Sequence, residues 1–231
     1  NVSSQIQIGV NATDLQNISA VKANVTYPNN TIEVLTLSRV GSTNKFNVSY
    51  TIPARTGLYT VRFIANDTGN NINSSVTTNF TALDVVAPNV TRLRPTVSFV
   101  TNTSSIIEVG VNVTDNVNVS IVLATITSPN SSVTNWSLAK QGSTSIYNIS
   151  YDVPNGAIGV YNITFFANDT SDNVNYSERT NFTVLDTHFP TGFTLTEDPS
   201  DPATYNASQV YFFNVTVIEN IEIRNVIIEY N

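Results

Sequence analysis

The chain has no cysteine and no methionine, and among 231 residues only one histidine (His188), one tryptophan (Trp136) and three lysines (Lys22, Lys45, Lys140). Without cysteine no disulfide can pin a small fold, so each domain needs a core that holds unaided. The same scarcity removes the usual means of activating a nucleophile, and the chain reads as no enzyme. His188 lies in Asp186-Thr-His-Phe-Pro190 and has no counterpart in the related Asp84-Val-Val-Ala-Pro88. Basic residues are few: 10 Lys and Arg stand against 17 Asp and Glu, a net charge of −7. That balance argues against nucleic acid or an anionic membrane as partner. Long apolar runs are missing too. Ile121-Val122-Leu123-Ala124 is typical, far short of the roughly 20 residues that cross a bilayer as a helix. No secretory signal begins the chain, so Asn1 is expected to follow a segment that is either processed away or lies upstream of this sequence.

Asparagine is what the chain has in abundance. Of 32 asparagines, 22 stand in Asn-X-Ser/Thr with X other than proline, where chance placement against 54 Ser and Thr gives about seven or eight. They are Asn1, Asn11, Asn17, Asn24, Asn29, Asn47, Asn66, Asn73, Asn79, Asn89 and Asn102, then Asn112, Asn118, Asn130, Asn135, Asn148, Asn162, Asn168, Asn175, Asn181, Asn206 and Asn214. In 14 of them the middle residue is large and apolar, as in Asn24-Val-Thr, Asn79-Phe-Thr, Asn162-Ile-Thr and Asn181-Phe-Thr. Side chains alternate along a strand, so this pattern buries the apolar residue and turns Asn and Ser/Thr to solvent. The motif marks N-glycan acceptors and places the chain outside the cell. The competing reading is a polar strand surface that is never modified. The missing cysteines argue against a eukaryotic secreted domain. Most sites also lack the acidic residue two positions earlier that bacterial acceptors favour, which leaves an archaeal cell surface.

The second signal is an internal repeat. Gly9-Val-Asn-Ala-Thr-Asp14 returns as Gly110-Val-Asn-Val-Thr-Asp115, and Phe46-Asn-Val-Ser-Tyr50 as Tyr147-Asn-Ile-Ser-Tyr151. Gly57-Leu-Tyr59 returns as Gly159-Val-Tyr161, Ala65-Asn-Asp-Thr68 as Ala167-Asn-Asp-Thr170, and Asn79-Phe-Thr-Ala-Leu-Asp84 as Asn181-Phe-Thr-Val-Leu-Asp186. The offset is 101 and then 102, a whole-domain period. A third copy starts at Pro190, the equivalent of Pro88. The expected domains are residues 1–86, lacking a first strand, a complete 87–188, and a partial 189–231. Within the second copy Ile107, Val109, Val111 and Val113 alternate with polar or small residues, as do Tyr147, Ile149, Tyr151 and Val153, and Tyr161, Ile163, Phe165 and Ala167. With 97–100, 119–127, 133–138 and 182–185 this gives about seven strands, separated by turns rich in Asn, Gly, Ser and Pro. The fold class is all-β: tandem seven-stranded Greek-key immunoglobulin-like sandwiches.

Thr-Asp-Asn-Val-Asn-Val-Ser (114–120), Gly-Val-Tyr (159–161), Ala-Asn-Asp-Thr-Ser-Asp-Asn (167–173) and a closing Leu-Asp before proline resemble the Ig-like repeats of large prokaryotic surface proteins. Those families supply stalks, S-layer components, adhesins and filament subunits. The resemblance implies that Tyr59 and Tyr161 are corner tyrosines whose hydroxyls bond to nearby backbone. It also implies that the loop after the second strand, the loop before the last strand and the incoming linker emerge at one end. Those positions hold Asp115, Asp169 with Asp172, and Asp84. Such hard oxygen ligands suit a structural Ca²⁺ at a module junction, where one ion could cross-link two domains. Turn capping is the competing reading of the same acids. Asp14 and Asp67 repeat the pattern in the first copy, and Asp186 with Glu219 begins it in the third. Trp136 is expected to fill the core or plug a sandwich edge.

Two functions fit. One is a heavily glycosylated structural repeat forming a stalk, S-layer, sheath or filament on an archaeal cell, with neighbouring surface subunits or further copies of itself as partners. The alternative is an adhesin whose modules bind another cell, glycan or surface. Sequons on every expected sheet face leave little bare surface for a partner, which favours the structural reading. The third copy is expected to expose apolar strands at 210–217 and 221–228, so a longer repeat chain is expected in preference to strand exchange between chains.

Overall fold

The structure, a computed structural model, describes residues 1–227 and residue 229. No helix occurs among the described residues, and hence none that is long and apolar enough to cross a membrane. The first copy is built from β1 (Gln5–Asn11), β2 (Ile18–Thr26), β3 (Ile32–Arg39), β4 (Lys45–Thr51), β5 (Gly57–Asp67), β6 (Ile72–Asn73) and β7 (Thr77–Ala82). These hydrogen-bond in the order β1-β4-β3-β2-β5-β6, with β7 also on β5. β3 turns the corner: Ile32–Leu37 pair with β2, whereas Ser38 and Arg39 pair with β4. Period two sets the core. Val21, Ala23 and Val25 of β2 and Tyr59, Val61 and Phe63 of β5 are buried, while Lys22, Thr60 and Arg62 face out.

The second copy contains β8 (Asn89–Arg94), β9 (Phe99–Asn102), β10 (Ile106–Thr114), β11 (Val119–Thr127) and β12 (Val133–Ser137). It continues with β13 (Ala139–Lys140), β14 (Ile146–Asp152), β15 (Gly159–Asp169), β16 (Val174–Asn175) and β17 (Arg179–Leu185). One sheet runs β13-β14-β10-β8 and the other β12-β11-β15-β17-β9, with β16 on β15. The sheets meet through their inward side chains, and the Tyr151 ring of β14 lies 6.3 Å from that of Phe182 on β17. Trp136 takes the edge position. On the outermost strand β12 it is 41 % exposed and packs edge-on against Tyr151 at 5.9 Å.

Chain contacts divide the protein into two compact units, Asn1–Val90 with Val113–Val122 and Phe166–Tyr176, and Thr91–Asn112 with Leu123–Phe165 and Ser177–Asn231. The third copy contributes β18 (Thr191–Asp198) and β19 (Phe212–Ile218), a two-stranded antiparallel pair. No strand covers 221–227, and Ile228 lies outside the described residues, so the second apolar strand expected there is not found.

The repeat is reproduced atom for atom at its corners. Tyr59 Oη donates to Arg55 O at 2.9 Å and Tyr161 Oη to Ala157 O at 3.0 Å. Each ring stacks on the apolar residue of a late sequon, Phe80 at 4.9 Å and Phe182 at 4.8 Å. Gly57 and Gly159 open these strands at φ +124° and +125°, against Pro28 and Pro129, a backbone state that side-chain-bearing residues rarely adopt.

Candidate metal centre

Each long strand β5 and β15 ends in an aspartate that organises the following turn. Asp169 Oδ1 accepts the N–H groups of Ser171 (2.7 Å) and Asn173 (2.9 Å), and its Oδ2 accepts Asn173 Nδ2 at 2.7 Å. In the first copy Asp67 is held likewise by the N–H and the Nδ2 of Asn71, both at 2.8 Å. Burial pushes the Asp169 carboxyl up, but the donated bonds of Asn173 and Ser171 outweigh it and hold the acid below its ordinary value. Asp67 is held low first by the Asn71 side chain and then by the Asn71 N–H, against the opposing effect of burial.

Asp115 follows β10. Its Oδ1 accepts Val117 N–H at 2.8 Å and Asn118 N–H at 2.9 Å, and Asn118 O in turn accepts Thr170 N–H at 3.0 Å, tying this loop to the Asp169 turn. Asp84 follows β7. Its Oδ1 accepts Val86 N–H (3.2 Å) and Asn116 Nδ2 (3.0 Å). The segment after it is gripped by two more amides: Asn173 Nδ2 donates to Asp84 O at 3.3 Å, and Asn175 Nδ2 to Pro88 O at 3.0 Å. Three strand ends thus bring Asp84, Asp115 and Asp169 together, with one oxygen of each within 4.8 Å of the others. All three belong to the first compact unit. Asp84 is 7 % and Asp169 1 % exposed, and Asp115 is half-buried.

Asp172, counted with these acids on sequence grounds, is not among them. It is exposed, in the left-handed conformation at φ 65°, and its Oδ1 meets Asn168 Nδ2 at 3.5 Å. The other copies assemble less. Asp14 is exposed and caps its own turn, with Gln16 N–H on Oδ1 at 2.7 Å. Beside it, Val10, Phe63, Asp67 and Asn71 line an open cleft of about 350 Å³. In the third copy Asn220 Nδ2 reaches Asp186 Oδ1 at 3.3 Å, as Asn116 reaches Asp84. His188 is more than half exposed, with Nδ1 3.6 Å from Asp186.

None of the 22 sequon asparagines is buried, whereas the apolar residues beside Asn24, Asn112, Asn162 and Asn181 (Val25, Val113, Ile163, Phe182) are at most 2 % exposed. The amide nitrogens that would carry sugar are not equally available. Asn148 Nδ2 is bonded to Glu108 Oε1 at 2.6 Å and Asn175 Nδ2 to Pro88 O.

No protein-family model matches the chain, and no curated protein does. Solved structures do. The tetra-tandem repeat in the extending region of a large adhesion protein matches with TM-score 0.51 and 16 % identity, covering 98 % of this chain and 64 % of that one. The fibronectin(III)-like modules of Clostridium thermocellum CbhA match at TM-score 0.36 and 16 % identity, over 81 % of this chain and 91 % of theirs. The amphioxus IgVJ-C2 molecule matches at 0.42 and 15 %, over 79 % and 97 %. The fold is Ig-like. At such identities the likeness speaks for architecture and leaves function to the residues.

Proposed function

We propose that the chain is a glycosylated extracellular repeat, a structural spacer of Ig-like modules spanning 1–86, 87–188 and 189–231, on an archaeal cell surface. The observation that supports it most is the facing of the sequons. The asparagine is turned out wherever the adjoining apolar residue is turned in, on strands from both sheets of the second copy. Such a surface suits a stalk, sheath or lattice component that is coated on its flanks. Among the similar structures is the extending region of a large adhesion protein, and this reading gives the present chain a comparable task of adding reach. An adhesive role instead requires a bare patch of about 800 Å² per partner, which a coated sandwich does not offer.

The test is glycopeptide mapping of the protein from its native host. Peptides from this chain are expected to carry sugar, with Asn24, Asn47, Asn162 and Asn181 occupied. Sequon peptides recovered at their bare masses end the reading.

A further inference from the structure

We propose that Asp84, Asp115 and Asp169 bind one Ca²⁺, which ties the 84–88 segment to the loops after β10 and β15. Turn capping occupies both oxygens of Asp169 but accounts for only one oxygen each of Asp84 and Asp115. Oδ1 of Asp84 and Oδ1 of Asp115 carry all the donated bonds, whereas Oδ2 of each is buried with no hydrogen-bond partner. Asp84 is itself more than nine-tenths buried, so its bare Oδ2 is a desolvated carboxylate oxygen, on a side chain that has one oxygen within 4.8 Å of an oxygen of Asp115 and of Asp169. A buried ionised oxygen without a partner is costly. Three carboxylates within 4.8 Å also repel one another. Among the described residues no Lys, Arg or His side chain forms an ion pair with any of the three, so no side-chain cation relieves them. A divalent cation on the two free Oδ2 atoms and an Asp169 oxygen removes both costs at once.

The donors choose the ion. All are hard carboxylate oxygens with no histidine or thiolate nearby, which disfavours zinc and copper. They come from three separate loops and leave several positions to water, an irregular set that Ca²⁺ tolerates and that Mg²⁺, with its strict octahedron, does not. The first copy does not repeat the group, because Asp14 is exposed and no third acid joins it and Asp67 among the described residues. The expected stoichiometry is therefore one ion per chain.

The experiment is calorimetric titration of the whole chain, freed of metal by chelator, with CaCl₂ and separately with MgCl₂. One Ca²⁺ is expected to bind with a Kd at or below about 1 mM, the range of extracellular calcium modules, and at least tenfold more tightly than Mg²⁺. Asp115→Asn keeps an oxygen to cap the turn but loses the charge, and should weaken Ca²⁺ at least tenfold, whereas Asp172→Asn should leave it unchanged. Thermal unfolding separates this from a structural role. In chelator Asp115→Asn should melt no lower than the parent, since one of three repelling charges is gone, and in saturating Ca²⁺ it should melt lower. Equal destabilisation in both media makes Asp115 a turn cap only and overturns the proposal. So do the absence of saturable Ca²⁺ binding, equal Mg²⁺ affinity, or unchanged affinity in Asp115→Asn.

Discussion

Tyr59 and Tyr161 each join a fully buried ring to one polar atom that reaches back four residues to a carbonyl. The two contributions can be separated by substitution. Tyr161→Phe removes only the bond to Ala157 O and should cost about 1 kcal/mol in urea unfolding, the net worth of one hydrogen bond. Tyr161→Ala also removes the stack on Phe182 and leaves a cavity, for about 3–5 kcal/mol. Asn162→Gln, next door but exposed, should stay within about 0.5 kcal/mol. If Asn162→Gln proves the most damaging, the inward and outward faces of β15 have been exchanged.

At the scale of elements, the aspartate that closes β5 makes the following turn sensitive to acid. The Asn71 side chain and its N–H hold the Asp67 carboxyl below the ordinary value, so folding is favoured while Asp67 is ionised. That contribution is complete above about pH 4, the unfolded value, and is lost as pH falls through the depressed folded value. Asn71→Ala removes the leading donor, so the Asp67 titration followed by carbon NMR of the carboxyl should move upward, and the acid-sensitive gain in stability should shrink. An unmoved midpoint would leave the backbone as the sole cause. Sequence alternation already exposed most strands: Ile107, Val109, Val111 and Val113 are all buried on β10 as their spacing implies. It missed β8, because Asn-Val-Thr-Arg-Leu-Arg buries Val90 fully, Leu93 partly, and shows no apolar alternation of useful length. The resemblance to Ig-like repeats likewise pointed to Asp84, Asp115 and Asp169, since it implies that two loops and the incoming linker emerge at one end. The amide grips of Asn116 and Asn173 went unread, because the chain's 32 asparagines hide two structural ones among its acceptors.

Across the whole molecule, order should follow how many neighbours each strand has. β2 lies between β3 and β5, and β15 between β11 and β17, with Val21, Val25, Tyr161, Ile163 and Phe165 buried beneath them. Opening such a strand breaks two ladders and wets a core, so its amides are freed only by near-global unfolding. Among the described residues β18 and β19 pair with each other alone, and Phe193, Leu195, Phe212 and Phe213 remain more than half exposed. A two-stranded ribbon with its apolar side chains in water is marginally stable. Native-state hydrogen exchange read by mass spectrometry should therefore find β18 and β19 exchanging orders of magnitude before β2, β5 and β15. The pattern should also persist after enzymatic removal of any sugars, because every acceptor asparagine lies outside the core. Protection of β18 and β19 equal to that of β2 would mean that something covers Phe193 and Phe212, and the ladder count would no longer explain stability in this chain.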